Sequence, residues 1–171
     1  MTASVVDTNV GVAANGKAEQ AGPDCVNACI DALEEVVRTG RIVIDDGRRI
    51  IREYQRRLSP SGQPGVGDKF MKWVFLNQAN PDRCEVVAIT PKPQDPQDFV
   101  EIPDDPALRG FDRSDRKFLA VAVASRSQPV VLNATDTRSW WRYECVLARH
   151  GVRVRNLCPE ILTRSRISRL E

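Results

Sequence analysis

What this chain has least of narrows its chemistry first. It carries a single histidine, His150, which removes two-histidine acid–base ribonuclease chemistry and counts against a Ser-His-Asp triad. If the chain is a catalyst, carboxylates and a cation should do the work. Five cysteines, Cys25, Cys29, Cys84, Cys145 and Cys158, form no CxxC pair and no even framework of the secreted kind. They read as reduced thiols packed as small apolar groups, with zinc binding the lesser alternative. Cys25 and Cys29, four apart, share one face of any helix that contains them. Long hydrophobic runs are missing too: the longest, residues 118–124, is far short of the roughly 20 residues of a membrane span. The opening residues lack the basic, apolar, small-residue order of a secretion signal. These absences predict a cytoplasmic protein with no membrane partner.

What is present suffices for one globular unit. The chain has 171 residues and is 42% hydrophobic, inside the usual range of a single domain. We expect one domain over residues 1–160 and a basic tail over 161–171. A net charge of +2, from 25 basic and 23 acidic residues, says little, but 20 of the basic residues are Arg. Arg favours planar, bidentate pairing with carboxylate or phosphate. The arginines gather in residues 48–57 and at Arg164, Arg166 and Arg169; each cluster alone reads as solvated surface.

Hydrophobic patterning alternates strand and helix. Val5-Val6 begins a strand, Cys29, Ile30, Leu33, Val36 and Val37 follow a helical spacing, and Gly40 ends that helix. Ile42-Val43-Ile44 is a second strand, and Asp45-Asp46-Gly47 turns into a helix with Ile50, Ile51, Tyr54 and Leu58 on one side. Residues 59–67 form a Ser/Pro/Gly-rich flexible loop, and Phe70, Trp73 and Val74 mark an amphipathic helix over 68–78. An inserted hairpin or irregular excursion is expected around residues 80–103, where Pro91, Pro93 and Pro96 interrupt the pattern. A helix follows with Asp112 as N-cap and Asp115 in its first turn, then the strand Val130-Val131-Leu132, a helix over 139–150 capped by Gly151, and a strand over 152–157. Such alternation predicts an α/β fold, three layers α/β/α, around a central parallel sheet.

Four acids stand out against that map. Asp7 follows the first strand, the end at which open parallel sheets place their ligand crevice, and otherwise reads as a turn or cap residue. Glu53 borders the apolar stripe of its helix, and pairing with Arg49 or Arg57 is the plainer explanation. Asp115 shares a face with Phe118 and Leu119, and Asp136 comes just after a strand; each is also a plausible helix cap. The conjunction is what argues for function. Carboxylates brought together repel unless a cation neutralises them, and oxygen ligands suit Mg²⁺ or Mn²⁺ better than zinc.

At this point the residues resemble the PIN-domain nucleases. The resemblance lies in Val-Val-Asp-Thr-Asn-Val at the start, Ile-Ile-Arg-Glu-Tyr-Gln-Arg-Arg-Leu in an early helix, Asp-Arg-Ser-Asp-Arg-Lys-Phe-Leu-Ala-Val-Ala from Asp112, and Asn-Ala-Thr-Asp ending at Asp136. The motifs occur in family order across residues 4–158. The resemblance implies an endoribonuclease that cleaves single-stranded RNA to 5′-phosphate products with one or two Mg²⁺ or Mn²⁺ ions. Asp7, Glu53, Asp115 and Asp136 match the family's metal-holding acids. Asp112 is an accessory ligand under that reading, and Asn9 and Thr135 are polar accessories. Where many members carry a further acid, this sequence has Arg138, which leaves a second metal position open. Trp140 and Trp141 read as packing residues before base-stacking ones. A toxin role with an antitoxin partner, and a homodimer, are further implications of the family. The competing reading is an RNA-binding or assembly module with a weak metal site. A haloacid-type phosphatase ranks low because Asn9 stands where its second Asp is needed.

Overall fold

The computed structural model describes the backbone of residues 1–167. Its centre is a five-stranded parallel sheet in the order β3-β2-β1-β6-β7, formed by β1 (Ala3–Val6), β2 (Arg41–Asp45), β3 (Cys84–Val87), β6 (Val130–Asn133) and β7 (Arg153–Asn156). β1 is buried along its whole length, and β2 from Ile42 to Asp45. Strands covered on both faces need no polar alternation, hence the apolar runs in the sequence. Helices flank the sheet as expected for a three-layer α/β/α fold. They are α1 (Thr8–Ala14), α2 (Pro23–Thr39), α3 (Arg49–Arg57), α4 (Val66–Asn77), α5 (Arg116–Ala124), α6 (Glu144–Arg149) and α7 (Pro159–Ile167). No helix among the described residues is long and apolar enough to cross a membrane.

Local chemistry accounts for the helices that position the site. α2 starts at Pro23, stops at Gly40, and buries Cys25, Cys29, Ala32, Leu33 and Val36 on one stripe. α3 buries Ile50, Ile51 and Tyr54, and the Tyr54 hydroxyl donates to the carbonyl of Val6 at 2.5 Å, tying this helix to the end of β1. α1 and α4 touch backbone to backbone. A Cβ on Gly67 would lie 2.1 Å from the carbonyl oxygen of Gly11, so no larger residue fits there without the helices moving.

Several expectations need correction. The segment 80–103 is only partly an insertion: β3 is an edge strand of the main sheet, and the hairpin is β4 (Pro91–Lys92) with β5 (Asp95–Phe99). β3 pairs along one edge only and leaves Val86 exposed, so its sequence lacks the uniform apolar run of a central strand. The loop before α4 is not a free connector, because Asp68 accepts the Ser59 N–H at 2.7 Å, the Gly65 N–H at 2.9 Å and the Asn15 side-chain amide at 3.0 Å. The helix expected over 139–150 shrinks to α6, since Asp136 and Ser139 shape a turn first. Asp112 is not the N-cap of α5. It turns back on Ser114, accepting its N–H at 2.8 Å and its hydroxyl at 2.7 Å, so the helix begins one turn later with Asp115 at its cap position. The cysteines are not all free: Cys25 and Cys158 are joined, a contact across 133 residues that spacing in the sequence cannot reveal. Residues 161–167 of the region expected as a tail belong to α7, and Arg169 lies outside the described residues.

Candidate active site

The chain lays down β1, β2 and β3 outward in one direction, then crosses back to place β6 and β7 on the other side of β1. The sheet's switch point is therefore between β1 and β6, where the loops leaving two adjacent strands diverge and open a crevice. Val6 lies opposite Leu132, and the next residue, Asp7, donates its N–H to the Leu132 carbonyl at 3.1 Å. Asp7 leaves one strand and Asp136 follows the other, so both stand at this crevice. Its volume is about 690 Å³, and Asp7, Glu53, Asp115 and Asp136 all line it, together with Thr135 and the cations Lys17, Arg56 and Arg57.

Each acid is held differently. Asp7 is buried; Oδ1 accepts the Asn9 N–H at 2.9 Å as the cap of α1, and Oδ2 accepts the indole N–H of Trp140 at 2.6 Å. Burial pushes its pKa up to about 6 against those two donors, and the nearby Glu53 and Asp136 push the same way. Asp115 makes no side-chain cap, and burial first, then the charges of Asp7 and Asp136, push its pKa up to about 8. Asp136 is clamped by backbone donors, taking N–H groups from Arg138 at 2.8 Å and from Ser139 and Trp140 at 3.2 Å. Glu53 does not pair with Arg49 or Arg57. Oε1 accepts the Thr8 hydroxyl at 2.6 Å, and Oε2 forms an ion pair with Lys117. Arg49 instead pairs with Asp45 at 3.1 Å.

The accessory residues divide. Asn9 lines the crevice, but its side-chain amide is engaged in bridging the two diverging loops, donating to Asn133 Oδ1 at 3.0 Å and accepting the Ala134 N–H at 2.9 Å, while its backbone N–H holds Asp7. Asp112 is exposed and committed to Ser114, and it does not line the crevice. Thr135 does line it. Trp140 is fully buried, packed edge-on to Phe111 at 5.1 Å, so it does not stack on a base. Thr8, Lys117, Ser139 and the indole of Trp140 were not singled out for the site by their spacing. Only the Thr next to Asp7 and the Lys within the α5 motif offered a signal, and neither type is diagnostic alone.

Two features of the acids bear on a divalent cation. Asp7 and Asp115 are destabilised as anions first by burial and then by neighbouring acids, Glu53 and Asp136 for Asp7, and Asp7, Asp136 and Asp112 for Asp115, which a cation would relieve. Ser139 Oγ is buried without a hydrogen-bond partner of normal geometry, yet it is near enough to Asp115 to favour its charged form. A cation or its bound water at that position would satisfy it. The donors, all oxygen, fit Mg²⁺ or Mn²⁺. The acids are not drawn into one tight ligand set: among the described residues the only trio of Asp, Glu, His or Cys with ligand atoms all within 4.8 Å of one another is Cys25, Cys29 and Cys158. A small hard ion that keeps several of its waters is compatible with that looser spacing. Scans against protein-family models, curated proteins and solved structures each return no match.

Proposed function

We propose that this chain is a divalent-metal-dependent endoribonuclease of the PIN type, hydrolysing phosphodiester bonds of single-stranded RNA at the β1/β6 crevice. The observation that carries this reading is the meeting of Asp7, Asp115 and Asp136 at the sheet's switch point with two of them raised in pKa. Acids perturbed by burial and by one another in a cleft are candidates for a functional site on physical grounds. Asp7, Asp115 and Asp136 are the residues that would hold Mg²⁺ or Mn²⁺. The ion, when bound, acidifies water and offsets charge on the phosphoryl oxygens. Trp140 and the Asn9 N–H fix the orientation of Asp7, and the backbone donors of residues 138–140 fix Asp136, so neither carboxylate must reorganise on binding. Lys17, Arg56 and Arg57 give the crevice its positive wall and pair with the RNA backbone. Glu53 lines the crevice while engaged by the Thr8 hydroxyl and Lys117, which leaves it a weaker ligand than the three aspartates.

The test is cleavage of a labelled single-stranded RNA with Mg²⁺, Mn²⁺ or EDTA, comparing wild type with Asp7→Asn and Asp115→Asn. Metal-dependent cutting lost in both variants supports the proposal, and cutting that survives both refutes it. A second reading, an RNA-binding module without turnover, is favoured by one specific feature: Lys117 already neutralises Glu53 where a metal ligand is expected. Under that reading RNA binds with unchanged affinity in EDTA and is not cut.

A further inference from the structure

We infer that Cys25, Cys29 and Cys158, with Glu160, form a second metal site of a different kind: a thiolate centre for a soft divalent ion, zinc in the first instance, that staples α7 to α2. The site lies apart from the acid-lined crevice and does not depend on the proposed nuclease activity.

The placement follows from the fold. Cys25 and Cys29 stand one turn apart on the buried face of α2, and Cys158 arrives from β7 immediately before α7. All three are fully buried, and their sulfurs lie within 4.8 Å of one another. Cys25 and Cys158 are bonded, and Cys29 Sγ sits 3.9 Å from Cys158 Sγ. A disulfide alone needs two sulfurs, so the third, buried in contact with the pair, is unexplained by it. A second observation concerns the first turn of α7. There Glu160 Oε1 is buried with no hydrogen-bond partner, and the Glu160 charge acts directly on Cys29. Burial, and then the Glu160 charge, push the Cys29 thiol up to about 12; the Glu160 carboxylate stands outside the set the three sulfurs form within 4.8 Å of one another, so it closes on the ion only as the ion enters. A zinc ion reverses both penalties, because it binds thiolate and carboxylate together and prefers four ligands in a closed site.

The bonded pair is the oxidised form of this centre. A dithiol or phosphine reductant passes two electrons to the Cys25–Cys158 bond and each sulfur gains a proton; a dithiol supplies both protons and leaves as its disulfide, whereas with a phosphine one water supplies both protons and the oxygen of the phosphine oxide. Zinc then binds as the three thiols give up three protons to solvent, leaving three thiolates and the Glu160 carboxylate around the ion. The two forms exclude each other, since a sulfur in a disulfide is not a thiolate ligand.

The experiment uses the full chain in a Cys145→Ser background, which removes the exposed thiol. The protein is reduced with a phosphine, freed of it, and titrated anaerobically with Co²⁺ and then Zn²⁺. Expected are one equivalent of Co²⁺ with thiolate-to-cobalt charge-transfer absorption and tetrahedral ligand-field bands, and its displacement by Zn²⁺. A cation in the acid-lined crevice gives no sulfur band, so Asp7→Asn leaves the signal unchanged. Cys29→Ser abolishes it. Glu160→Gln, which tests the site even if the cysteine variant fails to fold, weakens binding at least as much as the roughly 10–100-fold seen on losing an outer-shell partner. The proposal is overturned if reduced protein shows no sulfur-to-cobalt band, if Glu160→Gln or folded Cys29→Ser binds as wild type does, or if the oxidised chain binds equally well.

Discussion

Titrating Mn²⁺ into the protein at pH 7 should displace close to one proton, and Asp115 should be its source. With a pKa pushed up to about 8, that side chain is about 0.9 protonated at pH 7, whereas Asp7, at about 6, retains only about 0.1 of a proton. A cation binds the ionised forms, so these protons must leave as it enters. The release rises toward two near pH 5.5, where both acids are largely protonated, and falls to about 0.1 near pH 9. Affinity accordingly strengthens with rising pH, by close to tenfold per unit between about 6 and 8, and levels off above the Asp115 value. Calorimetry in two buffers of different ionisation heat at one pH counts the protons directly. Asp115→Asn should cut the count at pH 7 to about 0.1 while weakening binding. Proton release that is the same in wild type and Asp115→Asn, or Mn²⁺ affinity that is flat from pH 6 to 8, would refute the assignment.

Trp140→Phe removes the indole donor that favours ionised Asp7; the Asp7 pKa then rises further, and the lower, steeper part of the acid limb of the proposed activity's kcat/KM profile, where Asp7 protonates, moves to higher pH while the upper break set by Asp115 stays. Gly67→Ala forces a methyl group against the Gly11 carbonyl and should cost about 1–3 kcal/mol of stability, read from urea unfolding. Asp68→Asn tests the loop anchor: hydrogen bonds from Ser59, Gly65 and Asn15 outweigh burial and hold the Asp68 pKa below 3.8. Its contribution is therefore present above that unfolded-state value and lost as pH falls through the lower folded one. The variant should be less stable by about 1–3 kcal/mol at neutral pH and match wild type in strong acid.

The parts of the fold that were legible in the sequence are those whose signal is local. β1, β2 and β6 announce themselves because strands buried on both faces are apolar without interruption, and the acids Asp7 and Asp136 then mark where those strands end. The Ile50, Ile51, Tyr54 stripe placed α3 for the same reason. α1 was missed because Thr-Asn-Val-Gly-Val-Ala-Ala is short and buried almost all round, leaving no polar face to set a period. The start of α5 was misplaced because Asp112 and Asp115 are equally good caps on paper, and the turn of Asp112 onto the Ser114 N–H and hydroxyl is not encoded in their spacing. The pairing of Glu53 with Lys117 and the junction of Cys25 with Cys158 join residues far apart in the chain. No composition or spacing rule encodes a meeting of that kind; it exists only once the sheet order is known.

That sheet order also sets a clock. The crevice needs residues 7 and 136, and its two walls are strands that pair Val6 with Leu132. A ribosome adding roughly 5–20 residues each second takes on the order of 6–26 s to travel the 129 positions between those two acids. Throughout that interval the emerging polypeptide has Asp7 but no partner strand to close over it. Whatever the crevice binds therefore has no complete site during synthesis, because its last essential piece is made late, and a truncated product that stops before β6 lacks one wall of it.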